Sequence, residues 1–213
     1  MSPELPAARL YAIADLDMLG PSLPVAVETM AAAGVGWIQL RAKGMTGRDL
    51  AELAAVCRAR LVAFPDTHLW LDDRVDVAAV VPGIAGVHVG DRDLPPEAAR
   101  RVLGPGMWIG QSTHDRAAVE RAAVDPAVDV IAVGPVFPTT SKANPDPVVG
   151  LDLVRWARSV TDKPLVAIGG IDATRLASVL AAGADLAVVL SAVCRGNVGE
   201  NCRRLLAAME DGS

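Results

Sequence analysis

The chain has 213 residues, of which 52% are hydrophobic, only 3% are aromatic and 21% are charged, and its net charge is −5. This length suits a single domain, and the aliphatic content argues against disorder. The acidic balance and the lack of a basic stripe argue against a nucleic-acid-binding surface. We also expect no membrane span, because Gly, Pro or charged residues interrupt every long apolar run.

The N-terminus and the cysteines predict a cytoplasmic protein. No charged start followed by an apolar run marks a signal peptide. The cysteines Cys57, Cys194 and Cys202 are odd in number and lack the spacing of a metal site. We interpret them as small buried hydrophobic residues in a reducing compartment.

Short aliphatic runs recur along the chain, and amphipathic stretches rich in Ala lie between them. The predicted strands cover residues 10–14, 37–41, 68–72, 86–90, 107–111, 130–133, 165–168 and 186–190. The predicted helices include residues 46–62, 95–103, 116–123, 151–160, 173–181 and 200–209. Near-continuous apolar strands that alternate with helices are typical of parallel βαβ units.

Eight such units in 213 residues use about 27 residues each, close to the ~30 that a βαβ step needs. An open doubly wound sheet is the alternative, but it more often has five or six strands. We therefore predict an α/β fold with one domain over residues 1–213, a (β/α)8 TIM barrel. Pro95-Pro96 fits the first turn of a helix, and Asp172 is predicted to be a helix N-cap.

In a barrel of this kind, functional side chains are expected where strands end. The strand at 37–41 and the residues after it alternate in polarity, so Gln39, Arg41 and Lys43 share one face. Two cations and an amide facing the barrel mouth would suit an anionic ligand with several oxygens. The alternative is an edge strand with a solvated face, which a closed barrel does not have.

Acidic residues lie at the ends of the third and fourth predicted strands or just after them, at Asp72, Asp73 and Asp93. Neighbouring strands bring their ends together, and one carboxylate from each is enough to hold Mg²⁺, which keeps waters and takes oxygens from substrate phosphates. The alternative is that these residues only cap the next helices. We interpret Asp15 and Asp17 as turn residues.

Two further regions predict phosphate binding. The loop from Gly134 to the next helix is about 15 residues long, a length that is usually functional, and Thr139, Ser141 and Lys142 offer it hydroxyls and an ammonium group. It is predicted to act as a lid, although an ordinary solvated turn is the alternative. Gly169-Gly170 and Leu190-Ser191 follow strands seven and eight, where many barrels bind phosphate.

Together these segments resemble the thiamine-phosphate synthase family, over nearly the whole chain. The resemblance is carried by residues 39–43, 72–74, 86–95, 110–114, 134–142, 169–170 and 190–191. The Gly-Pro loop that ends in Thr-Thr-Ser-Lys is its most specific part, and the Gly-Gly pair is the least specific.

The resemblance implies a reaction and a role for each matching residue. A pyrimidine methylene loses pyrophosphate and forms a C–N bond to a thiazole phosphate, with loss of CO₂ when the thiazole is carboxylated. Asp73 and Asp93 would hold Mg²⁺, and Arg41, Lys43 and Lys142 would be catalytic. The implied contacts of the pyrimidine pyrophosphate are Gln39, Leu40, Arg41, Ala42, Lys43, Asp72, Ser112 and Lys142. Those of the thiazole phosphate are Thr139, Thr140, Ser141, Gly170, Leu190 and Ser191.

The sequence departs from the family pattern in places, and alternatives stay open. Asp72 stands where the family usually has Asn, Ala42 where an acidic residue is common, and Ser141 where Thr is more frequent. One alternative is a thiazole tautomerase of the same barrel type, with His114 as an acid–base residue. Others are a phosphosugar isomerase or epimerase and a non-catalytic phosphate-binding barrel. We expect small molecules as partners, without nucleic acid or membrane, and the sequence is compatible with a homo-oligomer.

Overall fold

The computed structural model describes residues 5–139, 141 and 146–210. Eight parallel strands form a closed barrel in which each strand pairs with the next and the last pairs with the first. The strands are β1 (Leu10–Asp15), β2 (Trp37–Arg41), β3 (His68–Asp72), β4 (Gly86–Val89), β5 (Trp108–Thr113), β6 (Val130–Val133), β7 (Leu165–Ile168) and β8 (Leu186–Val189). The predicted (β/α)8 barrel is confirmed.

Helices cover the outside of the barrel. They are α1 (Leu16–Leu19), α2 (Leu23–Ala32), α3 (Gly47–Arg60), α4 (Val75–Ala78), α5 (Pro96–Leu103), α6 (Arg116–Val124), α7 (Gly150–Val160), α8 (Leu176–Ala181), α9 (Ser191–Cys194) and α10 (Val198–Glu210). Short 3₁₀ turns lie at Gly20–Ser22 and Gly104–Gly106. In the described part of the chain, no helix is both long and apolar enough to span a membrane.

Local sequence explains where several helices begin. The Thr46 hydroxyl accepts a hydrogen bond from the Asp49 N–H at 3.2 Å and caps α3. Pro96 opens α5, as predicted. The predicted N-cap at Asp172 is wrong, because its carboxylate accepts from the Thr174 N–H at 3.0 Å and closes a turn ahead of α8.

Strand alternation divides the buried residues into two layers. In β2, Ile38 and Leu40 point outward and pack in the larger core between strands and helices. Trp37 points inward, into the smaller core within the barrel. Every residue of β6 and β8 is buried, as expected for strands covered on both faces.

An aromatic cluster of Tyr11, Trp37, Trp70 and Trp108 fills the lower half of the barrel. The rings of Trp37 and Trp70 lie 4.7 Å apart, and those of Trp70 and Trp108 lie 5.7 Å apart. Gly86 leaves space for them, since a Cβ there would lie 2.8 Å from the Trp70 ring. The cluster restricts open space to the upper half of the barrel.

The three cysteines are buried and free, as predicted. Burial raises the pKa of Cys57 to about 12 and that of Cys194 and Cys202 to about 11. All three are therefore protonated at neutral pH and poor nucleophiles.

Candidate active site

A cavity of 210 Å³ opens at the C-terminal ends of the strands, above the aromatic cluster. Its floor includes the buried amide of Gln39, whose Nε2 donates to the Tyr11 hydroxyl at 3.0 Å. Burial raises the pKa of Tyr11 far above its usual range, so the hydroxyl stays neutral. The floor therefore offers aromatic surface and neutral polar groups to a flat ring.

One wall of the cavity carries the predicted cations. Arg41 and Lys43 line it, as the alternation of β2 predicts. Lys43 Nζ lies 3.0 Å from Asp72 Oδ2 and also contacts the Asp73 carboxylate. Burial works to lower the pKa of Lys43, but Asp72 and Asp73 outweigh it, so the net shift is upward and Lys43 carries a charge at neutral pH.

Asp72 is partly buried beside these cations and faces the cavity. Burial raises its pKa, and the nearby Lys43 and Arg41 partly offset that rise. Among the described residues, none forms a well-aligned hydrogen bond with its Oδ2 atom. This oxygen lies 3.0 Å from Lys43 Nζ and 3.5 Å from Arg41 Nε, so the carboxylate is ion-paired with both cations and can also accept from a ligand N–H.

Two further carboxylates, Asp73 and Asp93, meet at the cavity rim. Asp73 has a φ of 60°, and its N–H donates to the His88 carbonyl at 2.8 Å, which bends the chain at the end of β3. Asp93 Oδ2 accepts from the Gly90 N–H at 2.9 Å. Burial raises the pKa of Asp93, the Gly90 N–H opposes that rise, and the adjacent Asp73 carboxylate adds to it.

This pair fits a hard divalent cation. Two carboxylates that repel each other are stabilised when a cation lies between them, and Mg²⁺ prefers oxygen ligands while keeping several waters. Within the described ranges, no group of three or more metal-binding side chains exists. An ion held here by Asp73 and Asp93 would therefore complete its coordination with water and ligand oxygens.

Ser112 and His88 form the next part of the wall. His88 Nε2 lies 3.0 Å from the Ser112 hydroxyl. Gly110 makes room for the imidazole, because a Cβ at that position would lie 2.4 Å from His88 Nδ1. The structure thus supports Ser112 as a cavity residue and adds His88, which the sequence indicated only as a strand residue.

The opposite wall is formed by the loops after β6, β7 and β8. Gly169 and Gly170 have φ values of 105° and 64°, and a Cβ on Gly170 would lie 2.4 Å from the Pro138 carbonyl oxygen. The Val136 N–H donates to the Ile168 carbonyl at 2.8 Å, so the first of these loops is held against the second. The predicted residues that line this wall are Thr139, Ser141, Gly170, Leu190 and Ser191.

Two of the predicted site residues that the structure describes, Leu40 and Ala42, do not line the cavity. Leu40 is 1% exposed and packs outward, and the partly buried Ala42 packs against the same outer core, so neither side chain faces the cavity. Thr140 and Lys142 lie outside the described residues.

His114 also lines the cavity. Its Nδ1 atom lies 2.5 Å from the Gly134 carbonyl, which acts as acceptor and places the proton on that nitrogen. Its Nε2 atom lies 3.6 Å from Asp146 Oδ2. The ring therefore connects β5 to both ends of the loop that follows β6.

Fold and cavity together define a class of protein, a (β/α)8 barrel with a cavity lined by cationic side chains at the C-terminal ends of its strands. Residues 10–193 match the family described as thiamine monophosphate synthase, and the chain belongs to that family.

Relatives share this assignment over most of their length. The thiamine-phosphate synthase of Koribacter versatilis is 45% identical over 197 residues, which are 90% of this chain and 91% of that protein. The thiamine-phosphate synthase of Leptospira biflexa is 39% identical, over 87% of this chain and 89% of its own. The structure of thiamine phosphate pyrophosphorylase from Pyrococcus furiosus superposes with a TM-score of 0.85 at 31% identity, over 96% of both chains.

Proposed function

We propose that this chain joins hydroxymethylpyrimidine pyrophosphate to hydroxyethylthiazole phosphate, or to its carboxylated form, and so makes thiamine phosphate. The observation that carries the proposal is the pairing of two anion-binding walls in one cavity. Arg41 and Lys43 lie on one wall, and the Gly169-Gly170 loop and Ser191 lie on the other. Family membership supports the same reaction.

In the proposed reaction, the bond between the pyrimidine methylene and the pyrophosphate oxygen breaks, and its electron pair leaves with pyrophosphate. The thiazole nitrogen then forms a bond to the methylene carbon, and a carboxylated thiazole also loses CO₂. Arg41, Lys43 and the predicted Lys142 would stabilise the departing charge electrostatically. No protein nucleophile is needed, which agrees with the high pKa values of the buried cysteines.

Mg²⁺ is proposed as the cofactor, held by Asp73 and Asp93. The described carboxylates that line the cavity are Asp72, Asp73, Asp93 and Asp146, with Asp15 behind Arg41, against the two cations Arg41 and Lys43. This acidic balance would repel a pyrophosphate, and a divalent cation between the carboxylates would offset that repulsion. When bound, the ion would neutralise charge on the pyrophosphate oxygens.

The alternative functions are less well supported. A tautomerase would need no pyrophosphate wall, whereas Arg41 and Lys43 line the cavity. His114 is the residue it would use, and its Nδ1 is engaged with the Gly134 carbonyl. The relatives' names favour the synthase. Cytoplasmic location and homo-oligomerisation stay predictions.

Pyrophosphate release tests this proposal. Purified protein with Mg²⁺ and both substrates should release pyrophosphate in proportion to thiazole phosphate added, and omission of either substrate should stop the release. Release that continues without the thiazole would identify a pyrophosphatase, and no release from folded protein would contradict the proposal.

A further inference from the structure

Asp15 is the last residue of β1 and points into the barrel, although it does not line the cavity. It lies two residues after Ile13, which belongs to the core inside the barrel, and residues two apart on a strand face the same side. It pairs in register with Arg41 of the neighbouring strand β2. With only 2% of its surface exposed, Asp15 is a buried acid beside the active site.

Both oxygens of this carboxylate have partners. Oδ2 accepts from Arg41 Nη1, and Oδ1 accepts from the Met18 N–H at 3.1 Å, which caps α1. A buried carboxylate is costly unless it is paired and hydrogen-bonded. Asp15 therefore joins the cation of β2 to the end of β1.

Arg41 is held from its other side as well. Its Nε atom lies 3.5 Å from Asp72 Oδ2, so Asp15, Arg41 and Asp72 form a row across β1, β2 and β3. A guanidinium has five N–H donors, and these contacts leave most of them for a ligand. A planar donor group recognises phosphate oxygens well only when its plane is fixed.

We propose that Asp15 is a positioning residue that fixes the guanidinium of Arg41 for the pyrophosphate leaving group. The proposal rests on the proposed function, because it takes Arg41 as a pyrophosphate contact. The negative charge of Asp15 also weakens the field of Arg41. Asp15 lies behind Arg41 and outside the cavity lining, so at the ligand its field is weaker than that of Arg41. The gain from a fixed guanidinium therefore outweighs the loss of field.

Two variants separate positioning from helix capping. In Asp15→Asn, one oxygen remains for the Met18 N–H, while the amide NH₂ faces Arg41 donor to donor. In Asp15→Ser, the hydroxyl retains the capping function and no longer reaches Arg41. Asp17→Asn is the matched control, since Asp17 is exposed on α1.

The measurement is a double-mutant cycle with Arg41→Gln. We expect Asp15→Asn and Asp15→Ser to lower kcat/KM for the pyrimidine pyrophosphate by about 10- to 100-fold, as misplaced contact groups do. The KM of the thiazole phosphate should stay within about twofold. In the Arg41→Gln background, the Asp15 change should have no further effect, because residues that act through one another are not additive.

Direct binding gives a readout independent of turnover. Calorimetric titration with magnesium pyrophosphate should show weaker binding by Asp15→Asn and wild-type affinity for Asp17→Asn. Unchanged or tighter binding, or additive effects in the cycle, would overturn the role of Asp15. Wild-type protein that makes no thiamine phosphate would instead overturn the proposed function, and this inference with it.

Discussion

Arg158 and Asp185 form an ion pair at the N-terminal end of the barrel, opposite the cavity, with Nη1 and Oδ2 3.1 Å apart. The same Oδ2 accepts a hydrogen bond from the Leu165 N–H at 2.7 Å, so one carboxylate joins α7, β7 and the start of β8. Arg100 and Asp129 repeat the arrangement two strands earlier, where Asp129 also accepts from a backbone N–H of β5. This end of the barrel is built for stability, as in other barrels.

Replacing Asp185 should therefore destabilise the protein without changing the chemistry. We expect Asp185→Ala to lower the free energy of unfolding by about 1–3 kcal/mol, because it leaves a partly buried N–H without its acceptor. Urea denaturation measures the loss, and kcat/KM should stay at the wild-type value. The control Asp152→Ala removes an ion pair whose Asp is 95% exposed, and should change stability by less than about 0.5 kcal/mol. Equal losses in the two variants would contradict this account.

The aromatic cluster makes a prediction at Gly86. A Cβ there would lie 2.5 Å from the Trp108 carbonyl oxygen and 2.8 Å from the Trp70 ring. Gly86→Ala should lower the free energy of unfolding by about 1–3 kcal/mol, since backbone and rings must shift. In Gly106→Ala, by comparison, the added Cβ meets nothing within 4 Å. Denaturant midpoints that agree for the two variants would mean that the cluster is loosely packed.

Lys43 and Arg74 are both cations after neighbouring strands, but only Lys43 lines the cavity. Arg74 turns away and donates to Asp76 Oδ2 at 2.6 Å. Lys43→Gln should lower kcat at least about 100-fold, the usual cost of one lost charge-stabilising donor. Arg74→Gln should keep activity within about threefold. A full-activity Lys43→Gln variant would remove this residue from the pyrophosphate wall.

Asp93 is predicted to be a metal ligand. Asp93→Ala should raise the Mg²⁺ concentration for half-maximal activity at least about tenfold, because removing a residue that only supports the metal ligands already lowers metal affinity by that factor. Asp91→Ala is the control, since Asp91 is exposed two residues away. Binding of Mn²⁺ followed by electron paramagnetic resonance gives a second readout without turnover. An unchanged metal requirement and unchanged Mn²⁺ binding would refute the assignment.

Asp72 stands where the family usually has Asn, and its surroundings would also accept an Asn side chain. An Asn oxygen can still accept from Lys43, and it removes one negative charge from the pyrophosphate wall. We therefore expect Asp72→Asn to keep or improve kcat. A loss of tenfold or more in steady-state kinetics would show that the carboxylate itself is needed.

The sequence predicted the barrel because all eight strands carry a strong local signal of apolar runs. It also predicted that Gln39, Arg41 and Lys43 face the cavity, since alternation along one strand is a local property. It was wrong about Asp172, because a side chain that closes a turn and one that caps a helix have the same local sequence.

Other site features depend on contacts between strands. The burial of Asp15 and its pairing with Arg41 follow from the register of β1 against β2, which one sequence does not reveal. The same holds for His88, whose place on the wall depends on Gly110 in the next strand. The local signal at Asp15, an acidic residue directly after an apolar run, predicts a turn residue, whereas the structure places it at the end of β1 as the N-cap of α1.

The most direct test of the proposed reaction is detection of its product. Purified protein is incubated with hydroxymethylpyrimidine pyrophosphate, carboxythiazole phosphate and Mg²⁺, and thiamine phosphate is measured after oxidation to its fluorescent thiochrome form. The account predicts product that requires both substrates and disappears with EDTA. Folded protein that yields no thiamine phosphate and isomerises the thiazole instead would contradict it.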